Sequence, residues 1–263
     1  MGAIIGKPRV DDALSFITAA NITEPTQKTA INTLVSDLKG LKLWSKFLAI
    51  YPMIGGTADT HKFNLKNPAN TDAAYTLSFS GSWSHTSNGA IPNGGNAFAD
   101  TFIQPSNSEL GQNDICISYY VRNATNNGSL FSVLENNNNG IKFELRPTIG
   151  EGAYQCLNNN ESGTADGNAT KTGLLLMSRI ASNEYKRYGR GVLDFTYTAT
   201  SNTRLTGYNI NMGCKYQTPS SRSEYTAAGC SFASIGKGLN AAEVAALNNI
   251  VQFYQTTLGR NIY

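Results

Sequence analysis

A strand that runs directly into a capped helix is encoded near the C-terminus, and it limits the folds open to this chain. Residues 230–236 (CSFASIG) alternate apolar with small or polar side chains, as a half-buried strand does. Gly238 then supplies a turn, and Asn240 with Glu243 resembles a capping box. We expect a C-terminal helix over 240–258, closed by Gly259 and apolar at Val244, Leu247, Val251, Tyr254 and Leu258.

The composition indicates that the rest of the chain is rich in short strands. It holds 29 Asn and 25 Gly in 263 residues, and only 15% of its residues are charged, against roughly 25% in ordinary globular domains. Asn and Gly favour turns, while the 13 Tyr and 11 Phe can fill a core between sheets. An amphipathic helix at the end of such a chain needs a sheet to cover. The predicted fold class is therefore mainly β, a two-sheet sandwich with an N-terminal helical segment and a C-terminal helix.

About eleven short strands are predicted, a number that suits two packed sheets. Asn-Gly pairs such as Asn88-Gly89 and Asn93-Gly94 separate several of them and favour tight hairpins. The candidate strands lie near 60–66, 74–80, 98–103, 115–122, 129–134, 141–146, 153–157, 174–180, 192–198, 207–214 and 230–236.

The chain divides into an N-terminal extension with a helical segment, 1–53, and the sandwich with its C-terminal helix, 54–263. Thr23 can cap a helix whose first turn holds Glu24 and Pro25. One apolar face of that helix is formed by Ile31, Leu34, Val35 and Leu38.

A second apolar face follows Gly40 and extends as far as Pro52. This spacing predicts a helical hairpin or a bent helix, with more apolar surface than one helix needs against a single sheet. We therefore expect the segment to anchor or oligomerise the protein by docking on partner subunits through four residues: Leu41, Trp44, Phe47 and Leu48.

Three blocks of sequence resemble the concanavalin A-like (laminin G-like) jelly-roll module of structural proteins from tailed bacteriophages. Residues 24–68 (EPTQKTAINTLVSDLKGLKLWSKFLAIYPMIGGTADTHKFNLKNP) are similar to its helical lead-in and first strand. Residues 174–193 (LLLMSRIASNEYKRYGRGVL) resemble a strand and hairpin of the module, and residues 230–260 (CSFASIGKGLNAAEVAALNNIVQFYQTTLGR) resemble its ending. The blocks cover about half of the chain in the right order.

This resemblance implies a structural virion protein, made in the bacterial cytoplasm and displayed on the particle as a head fibre, capsid decoration or tail appendage. Its expected partners are other virion proteins and further copies of itself. The alternative is a glycan-binding adhesin that recognises the host surface, and a weaker alternative is a polysaccharide depolymerase.

Contact with a glycan or another surface is expected on aromatic and amide groups carried by turns. Strands must point alternate side chains into the core, so adaptable groups concentrate on connecting loops. The candidates are Trp83, His85, Asn88, Tyr185 and Tyr188. Trp83 also fits a core position, and His61 fits a hydrogen-bonded position on a strand.

Several other functions are disfavoured by the sequence. The net charge of +3 is small and the basic residues are scattered, so nucleic acid is not an expected partner. No apolar run is long enough to cross a bilayer. The cysteines have no C-x-x-C spacing, so buried thiols are favoured over a disulfide. No cofactor and no metal site are expected, and the isolated Asp100, Asp114 and Asp166 leave a structural Ca²⁺ as the open alternative.

We also expect no enzymatic activity. Jelly-roll glucanases place paired carboxylates on one face of one strand, where alternation holds them at the distance that hydrolysis needs. Here Glu135, Glu144 and Glu151 are separated by the Asn run or by Pro147 and Gly150.

Overall fold

Two β-sheets pack face to face, with helices covering the outer side of one of them, so the predicted mainly β sandwich is confirmed. The computed structural model describes residues 11–123, 128–135, 141–147, 153–159, 163–165, 171–218 and 220–263.

The helices and strands of the described residues are numbered here in chain order. The helices are α1 (Asp12–Ala19), α2 (Pro25–Gly40), α3 (Ala58–His61) and α4 (Ala241–Thr257). The strands are β1 (Phe47–Tyr51), β2 (Ser78–Ser80), β3 (Trp83–Thr86), β4 (Gly89–Pro92), β5 (Phe98–Asp100), β6 (Ile115–Val121), β7 (Phe131–Leu134), β8 (Lys142–Leu145), β9 (Ala153–Asn159), β10 (Gly163–Ala165), β11 (Gly173–Arg179), β12 (Glu184–Gly189), β13 (Val192–Thr198), β14 (Asn211–Met212), β15 (Lys215–Gln217), β16 (Ser221–Ser223) and β17 (Cys230–Gly236).

The first sheet has the strand order β13-β12-β11-β6-β17-β4-β3. β1 pairs with β17 on the same side as β4, further along the strand, with Tyr51 opposite Ala233 and Phe47 opposite Gly236. The second sheet has the order β10-β9-β8-β7-β14-β5-β2, and β15 joins β7 to the short β16.

Apolar side chains fill two layers, one on each side of the first sheet. Ile117 and Tyr119 of β6 point into the core between the sheets, while Tyr120 points into the core beneath the helices. Because both faces of this sheet are covered, β6, β11 and β17 are buried along their whole length.

The predicted C-terminal unit is confirmed. β17 spans the expected residues 230–236, and Asn240 and Glu243 form the capping box at the start of α4. Gly259 takes the left-handed conformation (φ +65°) that ends the helix. The predicted apolar face of α2 is also buried, although its N-cap is Glu24 and not Thr23.

The predicted second helix after Gly40 is wrong. Lys42 adopts a left-handed conformation (φ +59°), a single 3₁₀ turn covers Trp44–Lys46, and β1 follows. The FLAIY sequence of β1 suits a strand, and its pairing with β17 outweighs the helical spacing. Residues 47–51 of the predicted N-terminal segment are therefore part of the first sheet.

Other elements also differ from the prediction. His61 ends the short helix α3, so the strand expected near 60–66 is absent from that stretch. The β3–β4 hairpin and β12 were not predicted, whereas the Asn88-Gly89 turn does join β3 to β4. All four cysteines are free and buried, as expected for core thiols. Glu151 lies outside the described residues.

Candidate functional site

A cleft of about 540 Å³ opens beside the start of β1. Three separate segments form it: residues 45–48, the loop 64–75, and residues 107–109. Their arrangement depends on Asn64, which is fully buried. Its Oδ1 accepts the backbone N–H groups of Ile50 and Lys66, both at 3.0 Å, and its Nδ2 donates to the carbonyls of Leu48 (3.3 Å) and Ala74 (3.1 Å). Asn64 therefore fastens the loop to β1.

Of the two aromatic residues that line the cleft, Phe47 is buried and Tyr75 is half-buried, and Tyr75 has an uncommon backbone conformation. Its φ of +60° is sterically costly for a tyrosine. Two hydrogen bonds hold it: its N–H donates to Asp72 O (2.9 Å), and its carbonyl accepts from the hydroxyl of the fully buried Tyr51 (2.8 Å). These bonds fix the backbone of Tyr75, and its half-buried ring packs against the core between the sheets.

Amides, hydroxyls and two charges line the rest of the cleft. Asn67 and Asn107 are exposed side chains that offer both donors and acceptors, and Ser45 is an exposed hydroxyl. Lys66 and Glu109 supply one charge of each sign. A ring with polar groups around it is suited to a neutral or singly charged polar molecule such as a sugar.

Three of the five predicted surface residues lie on the β3–β4 hairpin, away from this cleft. Trp83 is half-buried, and its Nε1–H donates to Ser80 O (3.0 Å) and Phe98 O (3.2 Å), so the core position that we considered describes it best. His85 is half-buried against Phe79, with ring centroids 4.7 Å apart. Asn88 is exposed in the turn.

The prediction that Tyr185 and Tyr188 are surface contacts is wrong. Both belong to β12, an inner strand of the first sheet. Tyr185 is 1% exposed in the core between the sheets, and Tyr188 is 4% exposed in the core beneath the helices. The strand alternates as expected, but both of its faces are covered.

The four predicted docking residues do not form one face. Leu41 is 57% exposed and lines an apolar groove of about 560 Å³ together with Phe253 of α4. Trp44 is half-buried beside the ammonium groups of Lys39 and Lys66. Phe47 is buried in the core beneath the helices, and Leu48 forms part of the cleft. Phe47 is therefore unavailable to a partner.

A cluster of two buried charges, Glu144 and Arg146, and the exposed Glu224 lies at the second sheet. Arg146 bridges two carboxylates, with Nη2 2.7 Å from Glu144 Oε1 and in contact with Glu224. Burial raises the pKa of Glu144, against the opposing effect of Arg146 and the hydrogen bond from Ser129. Sequence spacing could not reveal this pairing, because Glu224 comes from a distant segment.

Within the described part of the chain, no three His, Cys, Asp or Glu side chains are grouped to hold a metal ion. None of its helices is long and apolar enough to span a membrane.

No protein-family model matches the sequence, and no curated protein is significantly similar to it. Solved structures do share the fold. One is domain 4 of AbnA, a GH43 extracellular arabinanase from Geobacillus stearothermophilus, in complex with arabinotriose. It has a TM-score of 0.50 and 14% identity, over 77% of this chain and 98% of that one.

Sialidase structures from Trypanosoma rangeli are also similar. A mutant with trans-sialidase activity gives a TM-score of 0.54 at 7% identity over 85% of this chain. The complex with 2,3-difluorosialic acid gives a TM-score of 0.51 at 8% identity over 84% of this chain. This chain spans only 39% and 38% of the length of those two sialidase chains. At these identities the likeness concerns the fold, which agrees with the expected jelly-roll sandwich.

The expectation that this chain is not an enzyme is wrong as an exclusion. Structures with its fold come from an arabinanase and a sialidase, so the sandwich does not rule out action on glycosides. The lack of paired carboxylates on any single strand does not rule out such activity either. Carboxylates from distant segments can meet in the fold, as Glu144 and Glu224 do at the guanidinium of Arg146.

Proposed function

We propose that this protein is a glycan-binding β-sandwich and that the cleft beside β1 is its sugar site. The main support for this proposal is that the half-buried Tyr75 ring and the exposed amides of Asn67 and Asn107 line the same cleft. An aromatic ring stacks on the apolar face of a pyranose, and an amide can donate to one sugar hydroxyl while accepting from the next. This favours the glycan-binding alternative over a purely structural role.

The setting that we propose is the surface of a phage particle, where the protein contacts other virion proteins and copies of itself. Support comes from the resemblance of residues 24–68, 174–193 and 230–260 to phage modules. A single shallow sugar site binds weakly, so many copies on one particle would supply avidity. Of the predicted docking residues, Leu41 is the most exposed, and it shares the apolar groove with Phe253.

Binding is tested with the purified protein on an array of bacterial and plant oligosaccharides, followed by calorimetry on the best ligand. Tyr75→Ala and Asn67→Ala should each weaken binding about tenfold or more, since each removes a contact of about 1.4 kcal/mol. Tyr208→Ala removes a tyrosine that is 42% exposed and lies outside the cleft, and it should leave the affinity unchanged.

If the wild-type protein binds no oligosaccharide, or if both cleft variants bind like wild type, the proposed site is wrong. The same samples report whether a bound oligosaccharide is cleaved, through release of reducing ends. Particle display is tested separately, by asking whether Leu41→Asp with Phe253→Asp reduces incorporation into virions.

A further inference from the structure

The ammonium group of Lys66 is the unusual feature of the cleft. Its Nζ donates to the carbonyl of Trp44 at 2.8 Å and lies 4.0 Å from the centroid of the Trp44 ring. An ammonium group has three N–H donors, and this is the one hydrogen bond that Nζ makes within the described residues. Two of its donors therefore remain for a ligand.

Lys66 also makes no ion pair with a carboxylate of the described residues. The lysines that do so there are Lys39, Lys46, Lys62, Lys186, Lys215 and Lys237. The neighbouring Lys39 has its own partner in Asp12, at 2.5 Å. Among the described residues that line the cleft, Lys66 is the one cation, and no carboxylate of the described residues forms an ion pair with it.

Partial burial makes this charge costly. The pKa of Lys66 is lowered to about 8, mainly by the loss of water and also by the charge of Lys39 on α2. Asp12 on α1 and Glu109 at the cleft act in the opposite direction. An anion at Nζ would restore the interactions that the ammonium group loses on burial.

We propose that the cleft selects an acidic sugar, whose single carboxylate binds Nζ of Lys66 while its ring and hydroxyls contact Tyr75, Asn67 and Asn107. This inference rests on the proposed glycan-binding function and adds the class of sugar. Glu109 lines the same cleft and has a side chain that is 80% exposed. Its negative charge favours a ligand with one carboxylate over a densely charged polyanion.

The test compares the free acid and the methyl ester of one oligosaccharide that carries a single galacturonate residue, with a sulfated oligosaccharide as a third ligand. Calorimetry should find the acid bound about tenfold more tightly than the ester by the wild-type protein. Lys66→Met should abolish this difference but keep the affinity for the ester. Lys62→Met is the matched control, because Lys62 Nζ also lies over an aromatic ring, 5.4 Å from the Phe63 centroid, but does not line the cleft.

The pH profile separates a charge contact from a structural role of Lys66. The folded pKa is near 8, so Lys66 is charged below that value and loses its charge as the pH rises through it. The preference for the acid should be full at about pH 7 and decline towards about pH 9.5. Lys66→Arg should keep the preference across this range, because a guanidinium stays charged there.

Each outcome decides the matter. If acid and ester bind equally to wild type, or if Lys66→Met retains the preference, the inference fails while glycan binding stands. Tighter binding of the sulfated ligand than of the acid would reject the carboxylate assignment. Failure of every oligosaccharide on the array to bind would reject the proposed function as well.

Discussion

His61 and His85 face each other through their Nδ1 atoms, which lie 2.9 Å apart where the edge strands β3 and β2 of the two sheets meet. Gly56 N–H donates to His61 Nε2 at 3.2 Å, so the proton of the neutral His61 ring lies on Nδ1 and donates to His85. The pKa of His61 is lowered to about 3, mainly by burial and then by His85 and Arg260, and burial also lowers the pKa of His85.

Mild acid should therefore destabilise the fold. Well above pH 6.5, the usual pKa of histidine, the His61 ring is neutral in both the folded protein and the unfolded chain. As the pH falls below that value, the unfolded chain binds a proton that the folded protein does not bind until about pH 3. The free energy of unfolding should drop by about 1.4 kcal/mol per pH unit for His61. Urea unfolding between about pH 7 and pH 5 measures this slope.

The control for this prediction is His61→Gln, which keeps an acceptor for Gly56 but does not titrate. Its stability should fall less steeply over the same pH range. Parallel slopes for variant and wild type would show that the histidine pair does not cause the acid sensitivity.

Arg260 should be one of the most important side chains for stability. It is 2% exposed and donates to Gln255 Oε1 and to the carbonyls of Pro52, Met53, Ser87 and Ser231, at 2.7 to 3.1 Å. Replacement by Lys leaves too few donors and replacement by Met leaves none, so either change should cost about 3 kcal/mol or more.

Thermal unfolding measures this loss, with Arg190→Met as the matched control. The guanidinium of Arg190 lies over a tyrosine ring, 4.4 Å from the Tyr263 centroid, but Arg190 is exposed. Its replacement should cost less than about 1 kcal/mol. Equal losses for the two arginines would contradict the role that we assign to Arg260.

Gly89 should not tolerate a side chain. Its φ is +117°, and a Cβ atom would collide with the carbonyl of Cys230 on the paired strand β17. Gly89→Ala should therefore destabilise the protein by about 3 kcal/mol or more. Gly40→Ala serves as the control, since no atom lies near its Cβ position and a helix prefers Ala, with an expected gain of up to about 1 kcal/mol. A Gly89→Ala protein as stable as wild type would refute this close approach of Gly89 to β17.

The thiols should be unreactive in the folded protein. Burial raises the pKa of Cys214 and Cys230 to about 12 and also raises the pKa of Cys116 and Cys156. Since the thiolate is the reactive form, a disulfide reagent at about pH 8 should label no cysteine before unfolding and four afterwards. Rapid labelling of the folded protein would contradict the burial of at least one cysteine.

Local patterns predicted the C-terminal unit because its determinants are local. The alternation of 230–236 and the pair Asn240 and Glu243 act within a few residues of each other. β1 was missed because its strand partner, β17, lies near the other end of the chain. Tyr185 and Tyr188 were misjudged because alternation gives the two faces of a strand but not what covers them.

The cleft could not be predicted from the sequence. Tyr75, Lys66 and Asn107 come from segments whose meeting depends on the long-range contacts of Asn64 and β1. Asn67 and Asn107 are ordinary loop residues in an Asn-rich chain, so neither stood out. One side of the cleft is formed by Phe47 and Leu48 of β1, and the sequence pattern predicts a helix at residues 47–51 where the structure has this strand.

The position of β17 has a consequence for how the protein is made. β13, β12, β11 and β6 lie on one side of it, and β4, β3 and β1 on the other, so the first sheet is continuous only through this strand. The ribosome synthesises β17 after every other described strand. Until then, the strand edges that will pair with β17 have unpaired backbone groups. The first sheet therefore cannot be completed until residue 236 has been synthesised, and nascent chains that end before β17 are the ones most exposed to aggregation and to chaperones.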